Sequence, residues 1–161
     1  MITGRKQNRI LIVGLLLVLL NVSFMLADVT FSIEAPAQVT RDTLVTVKVK
    51  MDTGVDFIAG VGFTLQASNG VTYGNAVGSA MGTQMGSGSC NKAGLRLVCS
   101  IAGNGFNPAN GVGELISVPV TITNGATDPI TLTLNTLSAS DDIGGDITTA
   151  FAGAQSMNVQ A

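Results

Sequence analysis

Reactive side chains are few in this chain and fall in two places: a cysteine pair, Cys90 and Cys99, and one acidic cluster, Asp141, Asp142 and Asp146. There is no histidine. That removes Ser-His-Asp and Cys-His catalysis, imidazole metal ligands and the one side chain that ordinarily titrates near neutrality. In an oxidising compartment an even count of two cysteines predicts a disulfide, here enclosing eight residues, a length compatible with a hairpin. A metal site would need further Cys or His ligands, and the sequence has none. A glycosidase needs two carboxyl groups facing each other across a sugar-binding cleft. Adjacent acids on a strand instead project to opposite faces. Two readings of Asp141-Asp-Ile-Gly-Gly-Asp146 therefore stand: a solvated turn, and a calcium loop with Asp142 and Asp146 as ligands beside carbonyls near Gly144 and Gly145. It is not an EF-hand, because the alternating acidic run and closing Glu are missing. No other cofactor is implied, and the expectation is a protein that is not an enzyme.

Binding chemistry is limited in the same way. Polysaccharide modules stack sugar rings on aromatic faces, but the chain has no Trp and a single Tyr, Tyr73. Phe57, Phe63, Phe106 and Phe151 read as core residues, Phe106 being the one that also suits a cap or an anchor for a partner. Polysaccharide binding would be weak. Eight Lys+Arg against ten Asp+Glu and a pI near 4.8 leave no basic field for nucleic acid.

The N-terminus accounts for much of the hydrophobicity. Arg5, Lys6 and Arg9 precede an apolar run from Ile10 to Leu20, followed by Asn21 to Ala27. This is the anatomy of a secretory signal, with Ala27 as the cleavage candidate. Residues 10–27 are also almost long enough to span a bilayer, so a retained anchor is the other reading. Basic residues stay inside, which places the remainder outside in both cases. The expected organisation is a signal peptide or anchor over 1–27, forming a hydrophobic helix, and one domain over 28–161. All ten acids but only five bases fall in that domain, which carries a formal −5.

From Val29 onward apolar residues recur every second position. Val29 to Ile33, Thr43 to Met51, Val61 to Ala67, Gly94 to Ile101, Leu115 to Thr123, Ile130 to Leu137 and Ser156 to Gln160 read as strands. Leu95, Leu97, Cys99 and Ile101 are expected on one inward face, as are Val61, Phe63 and Leu65. Asp52-Thr-Gly, Ser68-Asn-Gly70, the Gly103 to Pro108 segment, Asn110-Gly111, Asn124-Gly125 and Gly144-Gly145 supply the turns between them. Short strands punctuated in this way predict an all-β sandwich. Gly74 to Ser89 is the least regular stretch.

The order of these segments resembles the cohesin domain, a nine-stranded jelly-roll module that captures dockerin domains. Leu44-Val-Thr-Val-Lys-Val is similar to its opening strand pair. Gly60-Val-Gly-Phe-Thr-Leu-Gln-Ala-Ser-Asn-Gly-Val-Thr-Tyr73, Gly94-Leu-Arg-Leu-Val and Gly113-Glu-Leu-Ile-Ser-Val-Pro-Val-Thr-Ile resemble later strands with their turns. Ile130-Thr-Leu-Thr-Leu and Leu137 to Ile147 resemble the closing strands and their Asp/Gly loop. Ser68-Asn69-Gly70 stands where the family carries an Asp-Pro-Asn turn. The resemblance implies a jelly roll of about nine strands over Val29 to Val159. It also implies a dockerin-type protein partner, in cell-surface or extracellular assembly. Carried onto this sequence, the partner-binding face is the solvent side of the sheet holding Thr64, Gln66, Arg96, Val98 and Ser100. The alternatives are a surface or filament subunit joined through strand edges, and a weak carbohydrate-binding module.

Overall fold

A computed structural model describes residues 29–102 and 109–160. The expected leader and its helix, and Phe106 with its flanking turn, lie outside these residues. The strands are β1 (Val29–Glu34), β2 (Gln38–Thr40), β3 (Leu44–Asp52), β4 (Ile58–Ala67), β5 (Val71–Tyr73), β6 (Val77–Gly78), β7 (Ser87–Ala93), β8 (Arg96–Ala102), β9 (Val112–Ile122), β10 (Ile130–Asp141), β11 (Asp146–Ile147), β12 (Thr149–Phe151) and β13 (Gln155–Gln160). One helix, α1 (Ala80–Met85), lies between β6 and β7. Among the described residues no helix is long and apolar enough to cross a membrane.

Two sheets face each other. The first runs β12-β1-β3-β9-β5, with β6 also on β9; the second runs β2-β13-β10-β4-β8-β7, with β11 on β10. The core between them follows from the period-two pattern. Val29, Phe31, Val47, Val49, Leu115, Val118 and Val120 point in from one sheet, and Phe63, Leu65, Leu97, Ile101, Leu132 and Met157 from the other. Phe31 and Phe63 meet across the gap with ring centroids 6.2 Å apart. Pro119 is accommodated within β9 because its carbonyl faces Gly74, beyond the end of β5, where no ladder N–H is required of it.

The sandwich matches the expected fold class, but it has thirteen strands against about nine. The additional ones include β2, β6, β11 and β12, which are only two or three residues long. The irregular Gly74–Ser89 stretch contains β6 and α1, whose buried Met81 and Met85 seat it on β9. Phe151 is partly buried against the core, and two expected core residues are exposed. Leu95 sits in the turn between β7 and β8 and is 37% exposed, because the inward alternation begins only with β8. Phe57 is 52% exposed, because it lies in the loop before β4, where strand alternation does not apply.

Candidate functional site

The second sheet brings the five expected face residues together. Antiparallel pairing of β4 with β8 sets Gly62 opposite Ser100, Thr64 opposite Val98 and Gln66 opposite Arg96. Their inward neighbours Phe63, Leu65, Leu97 and Cys99 fill the core, so these side chains lie on the outer face. β7 extends the same face with Ser89, Asn91 and Ala93 opposite Ser100, Val98 and Arg96. β10 extends it on the other side with Thr133, Asn135, Ser138 and Ser140. The β7 contribution could not be read from the sequence, because Ser87-Gly-Ser-Cys-Asn-Lys-Ala has no apolar alternation. The β10 serines and threonines were visible as polar positions, but only the register places them here.

Four of the five residues are accessible. Arg96, Val98 and Ser100 are exposed and Gln66 is partly so, its Oε1 accepting a hydrogen bond from Asn135 Nδ2 at 3.3 Å. Thr64 is a correction to the expected solvent-facing set, since only 8% of it is exposed. β10 slips register between Asn135 and Ser138, and this bulge folds Thr136, at φ 50°, over Thr64. Their hydroxyl oxygens lie 2.7 Å apart, and Thr136 Oγ1 donates to the Asn135 carbonyl, so Thr64 is the donor to Thr136. Thr64 therefore braces the bulge beneath the surface.

Towards one end the face hollows out. Gly60 and Gly62 form the floor of a shallow groove walled by Ser100, Ala102, Ser138 and Ser140, with Asp146 at its end. A Cβ at Gly62 would come within 2.7 Å of Ser138 Oγ, and one at Gly60 within 2.8 Å of Ser140 Oγ. Side chains at these positions would fill the groove. Charge is sparse on this face, with Arg96 towards one end and Asp146 at the other. Val98 is the large apolar side chain at its middle, 46% exposed.

The ion pairs of the described residues lie on the opposite sheet. Lys48 sits 3.1 Å from Glu114, and Glu34 bridges Lys48 and Lys50. Hydrogen bonds from Ser117 and Ser79 to Glu114, followed by the Lys48 ammonium, hold its carboxyl down at about 2.

Cys90 and Cys99 form the expected disulfide between paired positions of β7 and β8. It ties the edge strand to the sheet. In the acidic loop, Asp141 Oδ1 accepts hydrogen bonds from the N–H groups of Ile143 (3.0 Å) and Gly145 (2.6 Å) and so closes the turn itself. Asp142 and Asp146 line a hollow with Asp56, Phe57 and Asp141. Among the described residues no group of three or more acidic or cysteine side chains is arranged to hold a metal ion. Tyr73 is buried, donates to the Leu95 carbonyl at 3.3 Å, and is pushed by burial up to about 12. It is no sugar platform.

No family model matches the chain. No curated protein matches its sequence. Solved structures do match its fold. A non-cellulosomal cohesin from the hyperthermophilic archaeon Archaeoglobus fulgidus superimposes with a TM-score of 0.69 at 17% identity, covering 84% of this chain and 93% of that one. The third ScaB cohesin of R. flavefaciens, solved in complex with a group 1 dockerin, gives 0.64 at 12% identity over 85% and 98%. A type II cohesin from the cellulosome of Acetivibrio cellulolyticus gives 0.66 at 8% identity over 81% and 95%. The chain carries a cohesin-like jelly-roll domain.

Proposed function

We propose that the domain is a non-catalytic protein-binding module, exported from the cell, that captures a dockerin-type partner on the outer face of the β10-β4-β8-β7 sheet. The observation that carries this reading is the composition of that face. Val98 stands exposed at the centre of a surface of Ser, Thr, Asn and Gln side chains, with a glycine-floored groove on one side and almost no charge. An apolar centre within a neutral polar surround suits protein recognition, because little desolvation of charge opposes docking. The cohesin fold and the dockerin bound in one of its structural relatives support the choice of partner. Arg96 and Asp146 give the face a polarity that fixes the direction in which an elongated partner lies.

Assembly through strand edges has one observation in its favour: β7 ends its sheet with seven residues along an open side. Lys92 places a charge on that strand, which disfavours such pairing. The aromatic requirement of a polysaccharide module is not met by Phe31, Phe63 and Tyr73, which are buried. The test is titration of the protein with dockerin-bearing proteins from the source organism, monitored by calorimetry. Saturable 1:1 binding that Val98→Asp abolishes supports the reading. An absence of binding across the set rejects the partner, and binding that Val98→Asp leaves intact rejects the face.

A further inference from the structure

Among the described residues, four of the eight exposed large hydrophobic side chains gather at one end of the sandwich: Val55 (88%), Phe57, Val112 (76%) and Ile143 (89%). They are held outward by ordered loops. The Thr53–Phe57 loop is tied to the segment before β9 by Thr53 N–H to the Gly111 carbonyl (3.0 Å), Gly111 N–H to Thr53 Oγ1 (2.8 Å) and paired bonds between Ile58 and Ala109. Ile143 sits at the tip of the turn closed by the Asp141 carboxylate. Val112 pairs with Asp52 at the end of β3. Apolar side chains fixed in solvent in this way mark a contact surface.

The chain enters the domain at this same end. Thr30 pairs with Asp52, and Val29 N–H donates to the Thr148 carbonyl at 3.1 Å, beside the hollow lined by Val55, Phe57, Ile147 and Thr148. The last described strand, β13, finishes against Gln38–Thr40, close to the turn before Leu44 and at the far end. Only Asp28 separates Val29 from Ala27, the end of the 10–27 segment read as a signal or anchor. Two Cα–Cα steps span at most about 8 Å, comparable to the roughly 5–8 Å thickness of a bilayer's polar interface on each side.

We infer that this tip is a second membrane contact: with residues 10–27 kept as an anchor, Val55, Phe57, Val112 and Ile143 rest in the interface of the bilayer from which the domain stands. The inference depends on retention of the anchor and is independent of the partner-binding face. Asp56, Asp142 and Asp146 ring the same end, so the contact is shallow, with apolar tips among headgroups and carboxylates left in water. It also leaves the β10-β4-β8-β7 face directed sideways, free of the bilayer.

The protein has no Trp, so a single indole reports position. The full chain carrying Phe57→Trp is reconstituted in phosphatidylcholine vesicles containing lipid brominated along the acyl chains, and compared with Leu44→Trp. Leu44 is 69% exposed and lies at the opposite end of β3, about 30 Å away. The expected result is blue-shifted, bromine-quenched emission from F57W and red, unquenched emission from L44W. Equal, unquenched emission from both overturns the inference. So does an intact mass of the native protein showing that it starts at Asp28.

Discussion

Gly70 and Gly94 offer a matched test of how the sandwich turns its corners. Both adopt left-handed backbone angles, φ 59° and 60°. Gly94 faces open space, whereas a Cβ on Gly70 would lie 2.4 Å from both Cα and Cβ of Ala126, the buried residue of the β9–β10 turn. Gly70 sits where the chain crosses from one sheet to the other. Alanine at either site incurs a left-handed penalty of about 1–2 kcal/mol. Reduced freedom of the unfolded chain offsets that by about 0.4–1 kcal/mol. Gly94→Ala should therefore destabilise by about 1 kcal/mol. Gly70→Ala must also displace backbone, which adds about 1–3 kcal/mol, for a total of roughly 2–4. With a urea slope of about 2 kcal/mol/M, the midpoints should fall by roughly 0.5 M and 1–2 M respectively. Urea unfolding followed by far-UV circular dichroism reads both. Equal shifts would refute the close approach of the two turns, and a negligible shift for Gly94→Ala would refute the strain argument.

Three further outcomes are expected. Val98→Asp should weaken partner binding at least about tenfold, because it places a charge at the centre of the proposed interface; its thermal midpoint should stay within about 2 °C of the parent protein, since Val98 lies on the outer face of the sheet. Replacing both Cys90 and Cys99 by Ala should lower stability by about 2.5 kcal/mol, the loop-closure value for cysteines nine positions apart, read from the urea midpoint. Glu114 is held at about 2 in the fold, so below its unfolded value near 4.3 the unfolded chain takes up the proton first. Its contribution is complete above that value and disappears as pH falls towards 2. Stability of the parent protein should decline over that window more steeply than that of Glu114→Gln, measured by urea unfolding at each pH.

The long half-buried strands were legible because a two-residue period survives any register. β3, β4, β8, β9 and β10 were each anticipated within a few residues. The expected face was legible in part for the same reason: Gln66, Arg96, Val98 and Ser100 alternate against core neighbours. Three features were not legible, because no local pattern of residues marks them. Thr64 is buried by a bulge at Thr136, which no local pattern marks. β7 is a strand because β8 and the disulfide hold it, although its own residues favour a loop. α1 is under two turns long, too short for Met81 and Met85 to establish a helical period. Phe57 and Leu95 show the converse error, in which an apolar residue near a strand was counted inside it.

Hydrogen–deuterium exchange of the protein with and without a dockerin-type protein, the partner proposed for it, tests the central claim most directly. The account predicts new protection across β8 from Arg96 to Ala102 and in the facing segments of β4, β7 and β10, with β1, β3 and β9 unchanged. Protection confined to the β1-β3-β9 sheet, with exchange in β8 unaltered, would contradict it.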